Sequence, residues 1–558
     1  MTVSMLSRYW ILAVLFWPLL AYAEDGCVEH FSEGDPALFQ FLKTRATVDF
    51  SNYEGLTIGE RQIVVLPIFN LDDPEEDHRL YRIANRLNVS TRHSTVRRQL
   101  TIRSGAPLVA AKVEESERLL REKPYFADAM IVPARVCAER IDLLVVVRDV
   151  WTLAPIASVS REGGEDSSSG GFSYGNVLGT GQQLSVSWST DPERTSRAVW
   201  WGGSDFFGSH VTMQAAYVDS TDGDLRLVSA ERPFYQLNSR WSGGGSWQRQ
   251  TEQEDIELLE VLLNRYAHET DYDRVFAGWS AGVRDERVLR WRIGFTDQAD
   301  RFYTTDVGAV APADQQLRYP WISLESLSTA FWRASNISFS GRQEDIPLGI
   351  RWALSVGVAD TGMDSSENAI PFSAQLGNSV RGGNHHLTQW LLSSSGRWRR
   401  DDDELVSTFF AAEARYYYFI NRRNRWFALL RWDAAEGIRQ DEQLTSGGAD
   451  VLRGYPIYTQ RGDRRWLMSL ERRHFTDWHP YNLVRIGGAA YLDVGKTWDS
   501  TDSIAQIDET LANVGVGLRI SSSKARADRV LHVDFAVPLA ARESVDDYQI
   551  VIVGKVEF

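Results

Sequence analysis

Beyond its first two dozen residues the sequence has no run of 18 apolar residues, which excludes a chain that crosses a bilayer as helices. Cysteine is nearly absent, with Cys27 and Cys137 alone. That excludes a disulfide-rich scaffold and leaves either one disulfide or a pair of free thiols. No Cys/His group has metal-ligand spacing, and no Ser, His and Asp stand in a nucleophile elbow or another catalytic spacing. No metal, cofactor or enzymatic activity is therefore expected. Positive charge is in deficit as well. A net charge of -15 at pH 7 leaves nothing to neutralise a phosphate backbone, so nucleic acid is excluded as a partner.

Aromatic residues and glycine are abundant: 20 Trp, 20 Tyr and 24 Phe stand beside 42 Gly and only 6 Met. That balance suits an outer-membrane barrel with aromatic girdles, although a large secreted all-β protein would share it. The N-terminus explains the export route. Arg8 precedes an apolar run over 10–20, and Ala21-Tyr22-Ala23 supplies small residues at a cleavage site, so 1–23 reads as a signal peptide.

Residues 24–60 give little beyond a hint of helix at 36–43. From 61 to 155 the pattern predicts a compact α+β unit in the order β-α-α-β-β, with strands at 63–69, 130–136 and 141–147. Residues 161–171 hold no core-forming side chain, so 156–171 reads as a linker. From 172 to 558 period-two alternation dominates. Leu184, Val186 and Trp188 alternate with Gln183, Ser185 and Ser187, and Val514, Val516, Leu518 and Ile520 alternate with polar or glycine positions. Charges on the other face (Arg431, Asp433, Arg519, Asp534) could not be buried unpaired in a sandwich core. Spans of about 24 residues divide this region into about sixteen antiparallel strands of a transmembrane barrel. Its last strand places Tyr548, Ile550, Ile552, Gly554, Val556 and Phe558 on one face and ends on the aromatic, which reads as a C-terminal assembly signal.

One loop stands apart. Gly447-Gly448-Ala449-Asp450-Val451-Leu452-Arg453-Gly454-Tyr455-Pro456 is glycine-rich and carries an arginine, and the following strands hold Glu471 and Asp493 at inward parity. The order Leu452-Arg453-Gly454-Tyr455, then Ser469-Leu470-Glu471-Arg472, then Tyr491-Leu492-Asp493-Val494-Gly495 resembles the BamA/TamA/FhaC superfamily of outer-membrane barrels, the bacterial surface antigen family. Upstream, Thr91-Arg92, Pro124-Tyr125-Phe126 and Asp149-Val150-Trp151-Thr152-Leu153 resemble a single POTRA domain. The resemblance implies a 16-stranded barrel whose loop folds into the lumen, where Arg453, with Gly454 and Tyr455 beside it, meets Glu471 and Asp493. It implies a seam between 180–190 and 548–558, a POTRA edge near Ile63 and Val145 for an extended client, and a periplasmic N-terminal domain. Its partners would be outer-membrane lipid, a client polypeptide and accessory factors of the periplasm or lipoprotein type. The expected function is insertion or translocation of client polypeptides. The alternatives are a passive pore for small solutes gated by the inward arginine loop, and a surface adhesion protein that binds through 254–272 and 361–385. Arg461-Gly462-Asp463, His385-His386 and Asp401-Asp402-Asp403-Glu404 are read as ordinary loop residues.

Overall fold

The computed structural model describes residues 27–555 apart from 45–46, 163–164, 207, 259–260, 306–308, 339–340, 501–506, 526–529 and 542–544. The expected signal peptide, and Val556 and Phe558 of the last strand, lie outside the described residues.

The N-terminal unit runs β1 (Val28–Glu29), α1 (Ala37–Thr44), β2 (Thr57–Leu66), α2 (Arg79–Leu87), α3 (His93–Gln99), α4 (Ala110–Arg121), β3 (Phe126–Val136) and β4 (Arg140–Asp149). Its sheet has the order β1-β3-β4-β2, with β2 parallel to β4. The run Leu143 to Val147 is unbroken by polar residues because β4 is covered on both faces. On one face Leu143, Val145 and Val147 pack with Val96, Val113 and Leu120 of α3 and α4. On the other, Leu144 and Val146 pack with Leu38 and Leu42 of α1. The domain therefore starts well before residue 61. A disulfide joins Cys27 to Cys137 and fixes β1 against the end of β3. Helix α2 was missed from the sequence, because only Tyr81 of its nine residues is buried.

The remaining strands are β5 (Leu153–Glu162), β6 (Glu165–Tyr174), β7 (Gln182–Thr190), β8 (Thr195–Phe206), β9 (Val211–Ser220) and β10 (Gly223–Arg232). Next come β11 (Trp241–Leu258), β12 (Val261–Arg284), β13 (Arg287–Thr304), β14 (Gln315–Ser328), β15 (Phe331–Ser335), β16 (Gln343–Pro347) and β17 (Gly349–Gly357). These lead into β18 (Ala369–Gly382), β19 (His386–Arg399), β20 (Glu404–Phe419), β21 (Asn424–Glu436), β22 (Leu444–Ser446) and β23 (Gln460–Gly462). The chain finishes with β24 (Arg464–Phe475), β25 (Val484–Trp498), β26 (Leu511–Ser522), β27 (Val530–Pro538) and β28 (Gln549–Lys555). All but the small hairpins β15–β16 and β22–β23 form one closed antiparallel barrel of 20 strands.

Three expectations are corrected here. The barrel has 20 strands rather than sixteen. Residues 156–171 belong to the hairpin β5–β6, paired from Leu153↔Tyr174 to Glu162↔Glu165, so the barrel begins before residue 172. Serine and glycine hid these strands, since their hydrogen-bond ladder is backbone and needs no apolar side chain. The seam accordingly lies between β28 and β5, not at 180–190. Its register is the single pair Ile552↔Arg161 among the described residues, whereas β27 and β28 are matched from Val530↔Lys555 to Ala536↔Gln549.

Alternation sets the two faces. Val186, Trp188, Val516 and Leu518 are about half exposed on the outside, while His532, Asp534 and Ala536 are buried within. A continuous apolar outer wall of this kind is what a barrel presents to hydrocarbon.

The N-terminal domain sits across one mouth. Arg121 of α4 grips Asp345 of β16 through Nε–Oδ2 (2.8 Å) and Nη2–Oδ1 (2.9 Å), and Glu117 pairs with Arg333 of β15. The hairpin β15–β16 packs Ala334 and Ile337 against the inward Leu387, Tyr417 and Phe427. Around the rim, Thr95 donates to the Gly179 carbonyl (2.9 Å), Gln99 bonds Asp205, the Leu237 amide donates to Glu115 (2.7 Å), and Lys524 pairs with Glu76.

Candidate functional site: the inward arginine loop

The segment 437–463 between β21 and β24 crosses the mouth opposite the N-terminal domain. Near its two ends, the Arg439 guanidinium lies 5.2 Å from the Phe302 ring centre and Arg461 Nη1 donates to the Glu257 carbonyl (2.7 Å), both on the β11–β13 wall. Its middle descends to β24, β25 and β26.

There the guanidinium of Arg453 is buried, 6 % exposed. It holds Asp493 by two parallel bonds, Nε–Oδ2 at 2.8 Å and Nη2–Oδ1 at 2.7 Å, and Glu471 through Nη1–Oε1 at 2.8 Å. A planar fork suits this bidentate grip, and lysine could not reproduce it. The cation also lies 3.4 Å from the ring centre of Tyr491. Each carboxylate has further donors: Ser469 Oγ (2.7 Å) and Asn513 Nδ2 (3.1 Å) on Asp493, and Arg473 Nε (2.6 Å) on Glu471. A buried ion pair is stable only when its remaining lone pairs are satisfied in this way.

The neighbours of Arg453 set its position. A Cβ on Gly454 would stand 2.5 Å from the Cβ of Asn513, so only glycine lets the loop approach β26 this closely. The Tyr455 hydroxyl donates to the Ala512 carbonyl (2.7 Å), while Leu452 and Tyr455 pack with Leu467 and Leu511. All five expected residues, Arg453, Gly454, Tyr455, Glu471 and Asp493, thus meet in one cluster. Sequence reading missed Tyr491, Ser469 and Asn513. Tyr491 and Ser469 share the inward parity of Asp493 and Glu471, and Asn513 is the register partner of Asp493.

The loop also reaches the seam. Lys555 of β28 donates to the Ala449 carbonyl (2.5 Å) and pairs with Asp450 (3.0 Å). A cavity of about 430 Å³ lies between the two, bounded by Arg453, Glu471 and Arg473 on one side and by Val553, Gly554 and Lys555 on the other. Ile550, Ile552 and Gly554 of β28 share the outer face with Tyr548 just before the strand, and Val551 is buried within.

The expected client edge is corrected in part. Ile63 and Val145 are register partners, but β4 is an inner strand of its sheet and both side chains are buried. Of the two strands only β2 lies at a sheet edge, the other edge being β1. Arg461 and Asp463 are engaged within the structure, Asp463 by the Ser500 amide at 2.9 Å. His386 contacts Tyr416, and Asp402 pairs with Arg399. Glu252, Glu254 and His268 offer ligand atoms within 4.8 Å of one another. His268 is already bonded to Asp300 (2.9 Å), so the group is an ion-pair network spanning β11 to β13.

Outside the barrel wall, Asp149 accepts bonds from the Thr91 amide (3.0 Å) and hydroxyl (2.6 Å), and Asn176 of the β6–β7 turn donates to that hydroxyl (2.7 Å). Burial pushes the Asp149 carboxyl up to about 6. Burial likewise lowers Lys524 to about 8.

No protein family matches the chain by sequence profile, and no curated protein matches it. Among solved structures it is similar to CdiB from Escherichia coli, at 13 % identity and a TM-score of 0.45, covering 91 % of this chain and 78 % of that one. It is similar to BamA from Haemophilus ducreyi lacking POTRA domains 1-3, at 12 % identity and a TM-score of 0.38, covering 90 % and 84 %. It is also similar to the alcaligin outer membrane receptor FauA from Bordetella pertussis, at 10 % identity and a TM-score of 0.36, covering 75 % and 76 %. Scores of this size do not separate one kind of large barrel from another, so the functional reading rests on the residues.

Proposed function

We propose that this chain is an outer-membrane barrel of the surface antigen superfamily that inserts or translocates client polypeptides, with its N-terminal POTRA-like domain in the periplasm. The observation that carries the reading is Arg453 held inside the barrel by Glu471 and Asp493. That grip closes one mouth from within while the N-terminal domain covers the other. A lumen covered at both ends is a poor passive pore, whereas a seam of one register pair among the described residues is a place where the wall can part. Client and accessory contacts would fall on the N-terminal domain, whose outermost strand β2 can accept an added strand.

The test joins Arg161→Cys and Ile552→Cys across the seam. Cells relying on this variant should lose the client polypeptides from their outer membrane under oxidising conditions and recover them on reduction. Wild type taken through the same cycle controls for the native disulfide. Unchanged client delivery with a bridged seam would overturn the proposal.

A further inference from the structure

A shallow groove lies on the outer face of the barrel. It lies at the end nearest the N-terminal domain, across β19, β20, β21 and β24, with a volume of about 420 Å³ and a lining of His386, Tyr416, Tyr418, Trp426 and Leu470. Register explains its shape. One row across the four strands reads His386, Tyr418, Trp426 and Arg472. The next row toward the middle of the wall reads Thr388, Tyr416, Ala428 and Leu470, and the one after it Trp390, Ala414, Leu430 and Met468. The small Ala428 and Ala414 leave a trough between larger apolar side chains, and aromatic residues with polar tips crown it.

The crown carries a positive charge. Arg472 lies 5.5 Å from the Trp426 ring centre and donates through Nη2 to Asn424 Oδ1 (3.2 Å), and it has no carboxylate partner among the described residues. His474 Nδ1 shares the same Asn424 oxygen (2.9 Å), which leaves its other ring nitrogen directed away from the network. At the opposite rim, by contrast, Arg249 pairs with Asp271 (2.7 Å), Arg301 with Glu269 (2.7 Å) and Arg318 with Asp297 (2.9 Å). One outward guanidinium without a carboxylate, above an apolar trough and inside an aromatic row, is complementary to a phosphodiester with an acyl chain attached.

We propose that this groove is a binding site for one glycerophospholipid of the inner leaflet, with its phosphate at Arg472 and His474 and an acyl chain along Ala428 and Ala414. The site rests on the placement of this wall in the membrane given above. The aromatic row His386, Tyr418 and Trp426 sits at headgroup depth, where one end of each ring is wet and the other apolar.

The full chain, released from phosphatidylglycerol-containing vesicles into detergent, is examined by native mass spectrometry for retained lipid. Wild type should keep one phospholipid per chain. Arg472→Gln with His474→Gln should lower that occupancy by about tenfold, since a charge-assisted phosphate contact is lost. Ala428→Phe, which fills the trough, should abolish it, and Arg318→Gln at the other rim should leave it unchanged. Equal retention by wild type, the double variant and Ala428→Phe would overturn the site. Each protein is first floated with the vesicles. A wild type that fails to float would remove the membrane placement and this site with it, while flotation with equal retention would remove the site alone.

Discussion

At the residue scale, Arg453 is the position on which the lumen depends. Arg453→Ala leaves Asp493 buried without its cation and Glu471 with Arg473 alone, and losing one partner of such a pair costs about 3–5 kcal/mol. The expected outcome is a lowered thermal midpoint in detergent, with Arg453→Lys between wild type and Ala because an ammonium cannot hold Asp493 through two bonds. Asp149 gives a pH signature at the joint between domain and barrel. Its carboxyl is raised from 3.8 to about 6, so the folded state holds the proton more tightly than the unfolded one. That contribution is complete below pH 3.8 and lost as pH rises through 6. The thermal midpoint of wild type relative to Asp149→Asn should therefore fall between pH 4 and pH 7, and melts across that range measure it. The arginine cluster was legible in the sequence because parity places Glu471 and Asp493 on inward faces. Asn513 was not, since only the register of β25 with β26 brings it beneath Asp493.

Among the elements, the hairpin β15–β16 bridges the N-terminal domain and the barrel wall. Arg121→Glu should make the two come apart, exposing the joint to added protease, and Arg121→Glu with Asp345→Arg should restore protection. The contact should also loosen between low and high salt less than a surface pair would, because Arg121 and Asp345 are mostly buried. The same hairpin shows where sequence reading failed. Five-residue strands among apolar neighbours carry the same alternation as barrel strands, so period alone does not set the hairpin apart from the wall. In the opposite sense β6 (Glu-Asp-Ser-Ser-Ser-Gly-Gly-Phe-Ser-Tyr) looked like a linker. Alternation reports which face is wet, and a strand with little to bury is invisible to it. The α+β character of the N-terminal region was legible because β4 and α4 carry dense apolar patterns. Of its first thirty residues only the helix at 36–43 was legible, as α1, because β1 has only two residues and pairs with a strand more than 100 positions away.

For the molecule as a whole, the loop and the seam form one assembly. Lys555 links β28 to Ala449 and Asp450, a few residues from Arg453. Lys555→Met should speed formation of an intermolecular adduct at a cysteine placed at Ile552, because the closing strand loses its inner tether. An unchanged labelling rate would show that the loop does not restrain that strand. The barrel wall is also uneven. β12 has 24 residues and β5 has 10. At roughly 3.3 Å per residue the tall side is more than twice the height of the low one. The cylinder is thus cut obliquely. In the membrane placement proposed above, β11 to β13 stand clear of the bilayer like a parapet, the first part of the molecule that anything arriving from outside would touch.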